Sequence, residues 1–205
     1  ELDLIEFDAY LGNESLKTSE SIKALHTALE SSDEVFDYDR LYSLDLNELR
    51  AELGSASIDT EGLNNRQSMI QALLNRAFEA KQKVVTTGVL DIPEDGLGGF
   101  LVYEIDSYRI KLLNAYLPQA FIENFGLQKG HIIKAELHQK LEGANCCFAV
   151  NIETVMDEAP EKVAEWETFT DRIPYYPLDR IILESDIVPD KENLPMRVVD
   201  CLTPI

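Results

Sequence analysis

The sequence predicts an α+β protein, a small N-terminal helical subdomain followed by a five-stranded β-barrel, and three observations carry that expectation. Between Gly88 and Val155, short apolar runs alternate with Gly/Asp turns at the spacing of a small antiparallel barrel. Ahead of them, two stretches place leucines and other apolar residues at helical spacing, Leu41 to Leu53 and about Asn64 or Asn65 to Lys83. The 205 residues allow one or two domains, and 45% hydrophobic content suffices to bury a core.

Residues 1–38 form an acidic extension, with ten acids up to Asp37 against Lys17 and Lys23. Within it Ile22, Leu25 and Leu29 share one face of a short amphipathic helix, but so charged a segment is expected to be solvated and to add little to the core. His26 is expected on the exposed side of that helix. Residues 39–84 form the helical subdomain. Its first helix takes Ser43 as N-cap, carries a stripe of Leu44, Leu46, Leu49 and Leu53, and closes at Gly54. The second presents Met69, Ile70, Leu73, Leu74 and Phe78. Arg50, Arg66, Arg76, Lys81 and Lys83 supply the main positive charge of this subdomain, either as structural supports or as contacts to a phosphate backbone.

Residues 85–157 hold the barrel. The run Gly98-Gly-Phe100-Leu-Val-Tyr103 is one strand, and its glycine pair is expected to leave the Phe100 ring face open to a nucleic-acid base. Asn114 to Leu117 is a short third strand. Pro118 opens a helix of one or two turns that Gly126 or Gly130 ends. His131 to Leu137 and Cys146 to Val155 complete the set around a polar loop at 139–145, which suggests an OB or cold-shock barrel. Residues 158–205 follow as a connector. There Trp166 is expected to anchor the core, the prolines and Tyr175-Tyr176 to hold an extended segment into a strand from Arg180 to Glu184, Ser185 to Glu192 to be a polar linker, and Met196 to Leu202 to form a strand.

Charge and motif content narrow the function classes. The formal charge of −20 and pI near 4.4 disfavour long-range attraction to nucleic acid. Between Gly88 and Met156 nine acids face five bases. Three cysteines, two of them adjacent, favour a reducing cytoplasm over a disulfide framework. No apolar run reaches the length of a membrane span, and the N-terminus lacks the positive start of a signal peptide. No GxxxxGK[ST] sequence occurs, so the phosphate-cradling loop of a P-loop NTPase is missing and the expectation is no enzyme and no cofactor. Cys146-Cys147 near His131 and His138 lacks the paired spacing of a zinc site, and no metal is expected.

Several of these residues also resemble a family. The succession Gly88-Val-Leu, Asp95-Gly, Gly99-Phe-Leu101, then Tyr116, Ile122, Phe125, Leu127 and Gly130, then Phe148-Ala-Val ahead of Val155, is similar to the RNA-binding domain of the bacterial transcription termination factor Rho. The resemblance runs from about Leu41 to the end. Upstream, Leu44 to Gly54 and Leu63 to Leu74 resemble that family's N-terminal helices. Downstream, Phe169 to Pro177, Ile182 to Glu184 and Arg197 to Ile205 resemble its connector toward an ATPase domain that would begin where this chain stops.

The resemblance implies a base-stacking cleft. Phe100 matches the family's second cleft phenylalanine and Tyr116 its first tyrosine. The first phenylalanine falls at Leu97-Gly98, the arginine position at Val102 and the last tyrosine at Cys146, so two rings and a cation are replaced, with Tyr103, Tyr108, Arg109 and Lys111 near enough in sequence to compensate. The implied function is a Rho-like module that binds single-stranded, pyrimidine-rich RNA weakly in transcription termination, as a fragment of a longer ATPase or as a shortened relative. The competing expectation is an acidic interaction protein that keeps the scaffold and docks on Rho or the transcription machinery.

Overall fold

The computed structural model describes residue 10 and residues 13–28, 34–60, 62–94, 98–111, 113–139, 146–167, 171, 173, 181–185, 187 and 189–202. It divides into two compact units, Glu1–Trp166 and Glu167–Ile205. Leu29, Leu97, most of the 139–145 loop, the Tyr175-Tyr176 segment and Arg180 lie outside the described residues.

In the first unit, a 3-10 turn at Glu14–Leu16 and helix α1 (Ser19–Ala28) precede strand β1 (Val35–Asp37), and helices α2 (Tyr38–Ser43), α3 (Leu46–Ser55) and α4 (Arg66–Glu79) follow. The single helix expected from Leu41 to Leu53 is two. The chain turns extended at Leu44, and Asp45, not Ser43, caps α3: its carboxylate accepts from the Asn47 and Glu48 amides while Glu48 closes a capping box. Asn65 caps α4, whose Met69, Ile70, Leu73, Leu74 and Ala77 pack inward. Arg66 is turned inside as well, donating from Nη1 to the Leu44 carbonyl at 2.5 Å and from Nη2 to the carbonyl of Tyr42. It caps the end of α2, a structural use of this side chain.

The barrel comprises β2 (Lys83–Asp91), β3 (Gly99–Val102), β4 (Ala115–Leu117), β5 (Ile132–His138) and β6 (Phe148–Val155), with α5 (Gln119–Phe125) between β4 and β5. Neighbours run β2-β3-β4-β6-β5, and β5 pairs back onto β2, closing the barrel. Barrel pairs are antiparallel except β4–β6, and β1 pairs in parallel with the first residues of β2, Lys83 to Val85. This is an OB-type arrangement, as the turn spacing predicts. Gly126, at φ +64, ends α5.

Further expectations are overturned. The acidic extension is not merely solvated: Tyr10, Leu16 and Ile22 are buried within the same core as the barrel, and α1 packs beside β6. Charge counting missed this because one apolar face of a helix suffices to bury it, whatever the opposite face carries. In the second unit, residues 190–202 are helix α6 (Asp190–Leu202), where a linker end and a strand were expected. Residues 181–185 take no strand conformation. The Leu183 and Glu184 amides instead donate to the Asp200 carboxylate on α6 at 2.9–3.0 Å.

Candidate nucleic-acid interface

The aromatic pair singled out in the sequence meets across β3 and β4. Phe100 lies directly opposite Tyr116 in the strand register, and the rings contact edge to face at 5.6 Å. Tyr116 is fixed from its other side by its amide, which donates to the Cys147 carbonyl at 2.8 Å and so ties β4 to β6. Gly98 makes room for this ring. A Cβ there would sit 2.5 Å from the Tyr116 hydroxyl, and the backbone φ of +118 already favours glycine. Gly99 has a different task, since a Cβ there would meet Leu90. The glycines thus admit side chains of the protein itself, and Phe100 (0% exposed) and Tyr116 (3%) show no open ring face.

What covers them is Tyr10. Its ring stacks on Tyr116 at 4.5 Å with 24° between planes, and it meets Phe148 at 6.0 Å. Its hydroxyl donates to the Cys146 carbonyl, and the Cys146 thiol donates to the Tyr10 hydroxyl oxygen at 3.6 Å. Burial pushes the Tyr10 phenol above its ordinary range, so it remains a donor, and burial likewise pushes the Cys146 thiol up to about 11. Sequence reasoning passed over Tyr10, an isolated aromatic in an acidic run whose only signal was its apolar neighbours Phe7 and Leu11.

The remaining candidates separate. Val102 is packed inward, as is Cys146. Tyr103 is buried beneath the helical subdomain: it packs on Tyr42 at 4.3 Å, and its hydroxyl lies 2.7 Å from Thr86 Oγ1. Thr86 donates in turn to Asp39, which also accepts the Thr87 amide at 2.6 Å. Burial raises the Asp39 carboxyl despite these hydrogen bonds. Tyr103 therefore belongs to the joint between helices and barrel. Tyr108 (52% exposed) and Arg109 reach solvent on the turn after β3, and Lys111 is half-buried.

On the flank covered by α1, His26 Nε2 lies 2.9 Å from the buried Glu136 carboxylate on β5, correcting the fully exposed placement expected of this histidine. Lys83 and Lys134 reach Glu153 at 2.8 and 3.0 Å. The hydrogen bond to Glu153 raises the Lys83 ammonium; partial burial pushes Glu153 up, but the two lysines outweigh it and hold that carboxyl low.

Residues 86–161 match the family model described as the Rho termination factor RNA-binding domain. The barrel is thus similar to the RNA-binding domain of Rho. The chain is also similar to transcription termination factor Rho of Chromobacterium violaceum, 28% identical over 165 residues, covering 80% of this chain and 39% of the relative. It is similar to Rho of Pseudomonas aeruginosa, 29% over 171 residues and 79% and 40% of the two chains, and to Rho of Thermotoga maritima, 27% over 165 residues and 80% and 38%. The chain spans about two-fifths of the length of these Rho proteins.

Proposed function

We propose that the Rho-type barrel is a module for single-stranded, pyrimidine-rich RNA that acts in transcription termination. The pairing of Phe100 with Tyr116 on adjacent strands of the matched domain supports it, because these are the two ring positions the Rho pattern retains. Stacking on each ring is worth about 1–3 kcal/mol per base. Tyr108, Arg109 and Lys111 stand on the turn beside β3, where a strand of RNA leaving the rings would pass. Val102 in place of arginine and Cys146 in place of tyrosine make binding weak.

The test is binding of the full chain to oligo-C, oligo-U and oligo-A RNA at two salt concentrations. The expected result is saturable binding that favours the pyrimidines and falls about tenfold or more in Tyr116→Ala, in line with the stacking energy. Absence of saturable binding to any of the three would overturn the proposal. The second reading, an acidic protein that docks on Rho or another component of termination, is favoured by the covered rings and the charge of −20, and it would then take its place. Neither reading gives this chain ATPase activity, since it contains no GxxxxGK[ST] loop; titration with ATP and magnesium is expected to give no saturable heat, and a micromolar site would point to a nucleotide pocket of another kind.

A further inference from the structure

We propose that the N-terminal segment is a built-in competitor of RNA, in which Tyr10 takes the place of a base on Tyr116 and single-stranded RNA binds by displacing it. The inference rests on the RNA-binding reading of the barrel and adds its regulation.

The contacts of Tyr10 are those a pyrimidine would make. A single planar ring lies face to face on Tyr116 at 4.5 Å, its edge approaches Phe148, and its polar end donates a hydrogen bond to the Cys146 backbone. Single-stranded nucleic acid is recognised by this combination of a ring stacked on an aromatic and an edge hydrogen-bonded to fixed polar groups. Tyr10 (2% exposed), Phe100 and Tyr116 are buried together, so a base reaches the pair only after Tyr10 leaves. The same geometry argues against Tyr10 as a surrogate for the ring missing at Cys146. A wall of a cleft must leave a gap for its ligand, and a 4.5 Å stack between two rings leaves none.

The segment is held on the barrel by more than this ring. Leu16 and Ile22 are buried in the common core, and His26 meets Glu136 on β5. Covalent attachment gives the segment a high effective concentration at the cleft, so a modest contact competes well against RNA free in solution. Its charge acts in the same direction. Glu14 and Glu20, at the start of the docked segment, add negative charge that disfavours phosphates while it is docked.

Two measurements on the full chain test the proposal. In the first, Tyr10→Ala and wild type are titrated with fluorescent oligo-C and oligo-U. The expected result is binding about tenfold or more tighter in Tyr10→Ala, abolished again in Tyr10→Ala/Tyr116→Ala. Equal or weaker binding by Tyr10→Ala, with wild-type binding still dependent on Tyr116, would overturn the competitor while leaving the RNA-binding reading intact. No binding by either protein would overturn both. The second measurement is independent of whether Tyr10→Ala folds. A 3-fluorotyrosine placed at position 10 is followed by ¹⁹F NMR during titration with oligo-C, and its buried resonance is expected to move to the solvent-exposed position as RNA saturates. A resonance that stays buried while RNA binds would overturn the proposal.

Discussion

At Gly98 two constraints coincide, a φ of +118 and a neighbouring tyrosine hydroxyl 2.5 Å from where a Cβ would lie. Relaxation of one leaves the other in force, so Gly98→Ala is expected to lower stability by about 1–3 kcal/mol, read as a lower urea midpoint with unchanged slope. An unchanged midpoint would mean that Tyr116 yields readily. Val102 makes the converse point. By resemblance alone, Val102→Arg would restore a cation to the cleft. With Val102 1% exposed, the substitution instead buries a guanidinium without a partner and is expected to cost several kcal/mol, so that the variant unfolds at much lower urea or fails to accumulate. The residues of this strand were legible as strand and as a Rho-like series. Their burial was not, because all four are covered once barrel, helices and N-terminal segment close around them.

At the level of elements, the strands of the barrel and the two main helices were legible because hydrophobic period and glycine placement act locally. The β1 strand and the docking of α1 were not. Three residues beside one barrel strand carry no periodic signal, and the burial of α1 is decided by the surface it meets. That docking predicts a measurable cost: Ile22, fully buried, is expected to lose about 2–5 kcal/mol as Ile22→Ala, seen as a lower urea midpoint. A midpoint within error of wild type would show the segment to be dispensable for stability. Helix α6 was misread for a related reason, since Met196 to Leu202 is a short apolar run that a strand or a helix accommodates equally. On β6, the Glu153 carboxyl held low by Lys83 and Lys134 stabilises the native state when ionised, and this contribution is lost as pH falls through its depressed folded value. In Glu153→Gln the acid limb of the stability profile is therefore expected to flatten; a limb identical to wild type would assign acid unfolding to other carboxylates.

For the whole molecule, charge decides what kind of RNA binding the fold can support. Displacement of counterions from a single strand contributes a slope of about −0.7 per neutralised phosphate in a plot of log affinity against log salt. Among the described residues, several cations are already engaged within the protein. Lys129 is paired with Asp91, Lys83 and Lys134 with Glu153, and Arg66 lies against the carbonyls of α2. Arg109 and Lys111, on the turn after β3, are the two basic residues of the candidate interface, set in a chain of net charge −20. Contact with about two phosphates gives a slope no steeper than about −1.5, so affinity is expected to change only about tenfold or less between 50 and 200 mM salt, most of it being carried by stacking. Isothermal titrations of oligo-C across that range check the point. A slope steeper than about −4 would require at least five phosphate contacts, more than this face of the barrel supplies, and would move the RNA site to another surface of the protein.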